Sequence, residues 1–128
     1  MGLRSSLGKV RGMGSSKSGT DHFLTQRITA IANIPCITFF VVFFMIYGSS
    51  PYENIIKVTS NLFVASIMIV GIISAAIHMQ LGMQVVIEDY VHSKFLKIVF
   101  IVFNNFFVIF SAILCLISIL KIAMVGNL

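Results

Sequence analysis

"VTSNLFVASIMIVGIISAAIHMQLGMQVVIEDY" runs from Val58 to Tyr90, and no Asp, Glu, Lys or Arg occurs in it before Glu88. An α-helix rises about 1.5 Å per residue, so about 20 apolar residues cross the hydrocarbon core of a bilayer. This stretch is long enough to span, and it stops where Glu88 and Asp89 arrive. Two more uncharged runs flank it, Ile28 to Pro51 and Ile98 to Leu120. In hydrocarbon every backbone N–H and C=O needs a partner inside the protein, and separate runs of this length meet that need as helices. The spacing predicts an all-α fold, a transmembrane three-helix bundle with spans at about 28–48, 60–87 and 97–122.

Composition agrees. The chain of 128 residues is 58% hydrophobic and 10% charged, with a mean hydropathy of +1.02. A soluble domain carries about 25% charged residues. The net charge of +5 is concentrated before the first span, where Arg4, Lys9, Arg11, Lys17 and Arg27 face Asp21 alone. The second connection carries Lys94 and Lys97, whereas the first pairs Glu53 with Lys57. The positive-inside bias places the N-terminus and the second connection in the cytoplasm. The charge thus reports topology, and a nucleic-acid partner is not expected.

Residues 1–20 read as a basic arm and residues 21–125 as the membrane domain. "GMGSSKSG" in the arm lacks the spacing and the preceding strand of a phosphate loop. "MGLRSS" fits the loose myristoylation pattern, and the bias toward Arg and Ser resembles an organelle presequence. "SGTD" (Ser18 to Asp21) has capping-box spacing, so the first helix should start near Asp21, ahead of the lipid. Pro35 should kink that helix, because it removes a backbone donor. "YGSSPYEN" (Tyr47 to Asn54) reads as a turn with interfacial tyrosines. Asn104 and Asn105 are expected to bond between helices. Cys36 and Cys115 lie in different spans and read as small apolar groups.

His78 sits deep in an apolar run, and ionisable residues inside a span are candidates for function. Its neighbours at helical spacing are Gly71, Ser74, Ala75 and Gly82, all small. That face can serve close helix packing, with the imidazole bonded to a neighbour, or receive a flat macrocycle whose iron His78 ligates. His92 lies fourteen residues further on, about 21 Å if the helix continues. His22 is expected about 15 Å from His78, at the membrane surface. Neither reaches the same iron, so a second ligand to any heme must come from another chain. Past the span, Glu88, Asp89 and Tyr90 mark a membrane boundary. Arg27 emerges on the same side, able to pair with Asp89 or bind an anionic group. A phenol beside such a pair suits a quinone carbonyl.

Two motifs carry a resemblance. His78, Gly82, Val86, Asp89 and Tyr90 give H-x-x-x-G-x-x-x-V-x-x-D-Y, and His22 to Ile31 give H-F-x-x-Q-R-x-T-A-I. Together with three spans and a basic arm, they resemble the hydrophobic membrane-anchor subunits of bacterial succinate dehydrogenase, respiratory complex II, of the alphaproteobacterial kind. The resemblance covers nearly the whole chain. It implies half of a heterodimeric membrane anchor, non-catalytic in itself, in the bacterial inner membrane. It implies that His78 is an axial ligand of a heme b shared with a cytochrome b556 subunit. Arg27 and His22 would lie by the heme propionates, and Tyr90, Asp89 and Arg27 by the ubiquinone. Electrons from succinate would arrive through the flavoprotein and iron–sulfur subunits. Family members often place tryptophans around this histidine. This chain has none, and Gln80 and Gln84 stand there instead. A fumarate reductase anchor, or a non-redox three-span assembly or helper protein, are the alternatives.

Overall fold

The computed structural model describes residues 19–125 and, before them, Leu7 alone. Four helices follow one another: α1 (Gly19–Tyr47), α2 (Tyr52–Thr59), α3 (Leu62–Tyr90) and α4 (Lys94–Val125). Three of them, α1, α3 and α4, are long and apolar enough to cross a membrane. Most of the basic arm, with its glycine–serine run and Ser18, lies outside the described residues. Asp21 falls in the first turn of α1, where a carboxylate offsets the positive end of the helix dipole.

The helices overrun the expected spans at their polar ends. Helix α1 begins well before Ile28 and α3 continues to Tyr90, so His22, Arg27, Glu88, Asp89 and Tyr90 are all helical. At the other end the expected turn from Tyr47 to Asn54 is shorter than its composition suggests, because Tyr52 opens α2. Pro51 starts that helix, and its carbonyl accepts from Asn54 N at 3.0 Å. Ile55 and Val58, three apart on one face, pack against the apolar core. Asn61 then caps α3, its Oδ1 accepting from Phe63 N at 3.0 Å and Val64 N at 3.4 Å. Tyr52 is exposed as an interfacial ring should be, whereas Tyr47 is half-buried against Phe43, with ring centroids 5.2 Å apart.

Packing runs through α3. It contacts both α1 and α4, while α2 closes over the same end of α3 and α4, and no substantial contact joins α1 to α4. In the most apolar 18 residues of each span, 22% of the residues are accordingly buried in α3, against 11% in α1 and in α4. Phe43, Ala65, Met68 and Ile119 form the core at the α2 end. The outer surfaces stay apolar, with Phe44, Phe103, Phe106 and Phe110 all exposed. This distribution suits a solvent of hydrocarbon.

Small residues set the approach of α1 to α3. A Cβ added to Gly71 would lie 2.9 Å from the Phe40 ring and 3.2 Å from Cys36 Cβ, so the two helices meet where α3 has no side chain. Cys36 thus packs as a small apolar group, and both Cys36 and Cys115 are free thiols. Toward α4 the contact is polar. Gln80 Nε2 donates to Asn105 Oδ1 at 3.0 Å, and Asn104 Nδ2 donates to the Gln80 carbonyl at 3.1 Å. The two asparagines are therefore interhelical, as their depth demands. Several hydroxyls, including Thr38 and Ser66, bond back to the carbonyl four residues earlier and so hide from lipid. Helix α1 continues through Pro35.

Replacing Gly71 by Val should push α1 off α3 and cost about 1–3 kcal/mol, the usual range for overpacking. Thermal unfolding of the purified protein in detergent measures this. An unchanged transition would mean the helices can part freely there.

Candidate functional site

The polar groups of α1 and α3 meet along one seam. On α1 the seam residues are His22, Gln26, Thr29 and Asn33, spaced three or four apart; on α3 they are Ser74, His78, Gly82 and Gln84. The helices run antiparallel, so the start of α1 lies against the end of α3. Ser74 Oγ donates to the Thr29 carbonyl at 3.3 Å. His22 Nε2 donates to Gln84 Oε1 at 3.4 Å, and Gln84 Nε2 donates to Glu88 Oε1 at 2.8 Å. Asn33 is 7% exposed, and its buried Oδ1 finds no partner among the described residues.

His78 is half-buried in this seam. Its Nδ1 lies 3.2 Å from the Gln26 carbonyl oxygen and 3.3 Å from Thr29 Oγ1. A carbonyl oxygen only accepts, so Nδ1 must carry the proton. In the neutral ring Nε2 then holds the lone pair, and no described residue bonds to it. A ligating histidine is commonly arranged this way, one nitrogen bound to a carbonyl and the other left for a metal. The donor set of His78 therefore fits an iron ligand. Of the two uses open to the small-residue face, helix packing is the one realised, because α1 takes the side of α3 carrying Gly71, Ser74 and Gly82. Nε2 of His78 is what remains open to a ligand beside that contact.

The other expected residues separate into two groups. His22 joins the His78 seam, opposite Gln84 and six residues along α3 from His78, about 9 Å along the axis rather than 15 Å. The shorter distance follows from α1 starting deeper along α3 than a count from Glu88 implies. His22, Gln26, Gln84 and Glu88 border a recess of about 470 Å³ at this end. Arg27 does not pair with Asp89. It points off the seam, one helical step from Gln26, and its guanidinium lies 4.3 Å from the Phe23 ring centroid, a cation–π contact on its own helix. Asp89 and Tyr90 are exposed at the end of α3. Tyr90 borders a second cleft, of about 480 Å³, between α3 and α4, with Met83, Ile87, Phe100, Phe103 and Asn104. Lys97 closes the junction by donating from Nζ to the Glu88 carbonyl at 2.7 Å, meeting an orphan acceptor of the last turn. Among the described residues no three His, Cys, Asp or Glu side chains converge on one point.

Gln26 and Thr29 entered the sequence reading only as letters of a motif and Ser74 only as a small side chain, with no bonding role given to any of them. The signal was present as the spacing of Gln26, Thr29 and Asn33, a polar stripe on one face of an otherwise apolar helix.

A fold of three long apolar helices, with a histidine held between two of them, defines a multi-pass membrane protein. The profile of one family, "Succinate dehydrogenase/Fumarate reductase transmembrane subunit", matches residues 1–119. The succinate dehydrogenase hydrophobic membrane anchor subunit of Rickettsia bellii (strain RML369-C) is 31% identical over 117 residues, 91% of this chain and 94% of that protein. Those of Rickettsia typhi (strain ATCC VR-144 / Wilmington) and Rickettsia prowazekii (strain Madrid E) are each 31% identical as well. The first covers 87% of this chain and 89% of the relative. The second covers 82% and 84%. No solved structure matches the chain significantly. The chain belongs to the family of succinate dehydrogenase and fumarate reductase transmembrane subunits. Its place there is that of a membrane anchor subunit of succinate dehydrogenase, a multi-pass membrane protein that associates with the other subunits of that complex.

Because Arg27 and Asp89 do not pair, a double-mutant cycle with Arg27→Gln and Asp89→Asn should give a stability coupling below about 0.5 kcal/mol. A coupling above 1 kcal/mol would reveal an ion pair between them.

Proposed function

We propose that this chain supplies His78 as one axial ligand of a heme b shared with a cytochrome b556 subunit, and that it forms part of a ubiquinone-reduction site. The observation that carries the ligand role is the bond from His78 Nδ1 to the Gln26 carbonyl, with Nε2 at a half-buried position and bonded to no described residue. The heme, when bound, would supply a one-electron redox centre between the iron–sulfur subunit and the quinone. The protein's task is orientation: it holds the ring, keeps the proton on Nδ1, and places the histidine within a helix pair that excludes water.

The basic residues ahead of α1 support an N-terminus in the cytoplasm, and the family supports a place in the bacterial inner membrane. In that setting Tyr90 and Asp89 face the side where the flavoprotein and iron–sulfur subunits dock. The Tyr90 phenol would donate to a quinone carbonyl, with Asp89 beside it. Arg27, free of any ion pair with Asp89, is available to a heme propionate or to the quinone, and His22 stands in the neighbouring recess. The related reading, a fumarate reductase anchor, uses the same residues with electron flow reversed.

His78→Ala in the co-purified complex should abolish the b-heme absorption bands. Bands of unchanged intensity would reject the ligand assignment. Tyr90→Phe should slow ubiquinone reduction on the order of tenfold or more, as loss of a positioned proton donor does. Succinate oxidation with an artificial dye acceptor should continue. Equal loss of both activities would remove Tyr90 from the quinone site.

A further inference from the structure

We infer that Thr29 is a positioning residue for His78: its side-chain oxygen and the Gln26 carbonyl together grip the Nδ1 proton, and so set the plane of the ring and the basicity of Nε2. This rests on the reading of His78 as an iron ligand and adds to it the group that tunes that ligand.

The hydroxyl hydrogen of Thr29 is already committed. Thr29 Oγ1 lies 2.8 Å from the Thr25 carbonyl and 3.1 Å from the Gln26 carbonyl, both of which can only accept. The oxygen therefore turns a lone pair toward Nδ1, 3.3 Å away, and the imidazole N–H is shared between this oxygen and the Gln26 carbonyl. Thr25 and Thr38 also bond back to their own helix, but they are exposed and touch no ring. Thr29 is 8% exposed. It is held from α3 at a second point too, because Ser74 Oγ donates to its carbonyl. Ser74 precedes His78 by one turn, so the two α3 side chains bracket a single α1 residue.

Two consequences follow for an iron on Nε2. Two acceptors on one N–H hold the ring against rotation about the line through Nε2, which a single acceptor does less firmly. Both acceptors also draw the Nδ1 proton outward, which makes Nε2 a stronger donor and favours the oxidised iron. Losing the Thr29 oxygen should therefore raise the midpoint potential of the heme and change the angle between its two axial rings.

The test is made on the intact complex purified from membranes, with Thr29→Val, Thr29→Ser, Ser74→Ala and His78→Ala. The readouts are the lowest-field EPR line of the oxidised b heme, which depends on the angle between axial rings, and its midpoint potential. Thr29→Val, which keeps the shape and removes the oxygen, should shift the line and raise the potential. It should also weaken heme retention by about tenfold, the low end for loss of an outer-shell partner. Thr29→Ser should restore the parental values. Ser74→Ala, which removes only the bond to the Thr29 carbonyl and leaves the Thr29 oxygen on Nδ1, should shift them clearly less than Thr29→Val. If the valine variant does not assemble, Thr29→Ala reads the same quantities without the added methyl. Parental line and potential in Thr29→Val, with heme lost in His78→Ala, would overturn the positioning role alone. Equal shifts in Ser74→Ala and Thr29→Val would also overturn it, since they would report a loosened interface. Heme retained in His78→Ala would instead overturn the ligand reading beneath it.

Discussion

Gly71 lets α1 approach α3 until Cys36 and Phe40 fill the space that a side chain would occupy. The rest of the structure depends on that closeness. Between helices in lipid no water is expelled to drive association, so shape and polar pairing must hold them together. With α1 this near, Ser74 reaches a carbonyl of α1, His78 reaches another, and His22 meets Gln84. A bulkier α3 surface would leave each of these groups unpaired in an apolar medium, at a cost of about 1–3 kcal/mol apiece. One absent side chain thus decides whether the imidazole is held or loose.

The fold was legible from the charge-free runs because a bilayer imposes a length that few other environments demand. The start of α1 near Asp21 was legible as well, from its capping-box spacing, whereas the polar ends of α3 and α4 were less so. Polar residues such as His22 and Glu88 continue a helix beyond hydrocarbon once a neighbouring helix offers partners, as α1 and α3 do for each other. Helix α2 was hidden by its eight residues, too few to show a period, and by the turn-like composition of Ser49, Ser50 and Pro51 ahead of it. Asn104 and Asn105 were readable as interhelical because amides at that depth have few other options.

The candidate site was legible in part. His78 stands out in any reading, since an imidazole inside an apolar span asks for a reason. Which of its faces was free could not be read from it alone. The small residues around it suit a partner helix and a macrocycle equally, and only the register of α1 shows that the helix takes them. The arginine–aspartate pair was inferred from a shared end of the bundle. Position around the helix decides otherwise, since the residue before Arg27 faces the seam and Arg27 itself turns onto Phe23. Thr29 stood in a motif but drew no role of its own, because threonine in an apolar helix most often bonds back to its own carbonyls, which Thr29 also does.

The three spanning helices form a row with α3 in the middle and little contact between its ends. A closed trio would present lipid with one continuous rim. A row has two broad flanks, and protein can cover one while acyl chains wet the other. Three helices so arranged expose most of their length, and few of their side chains are enclosed on every side. Their outline is completed only by whatever lies alongside.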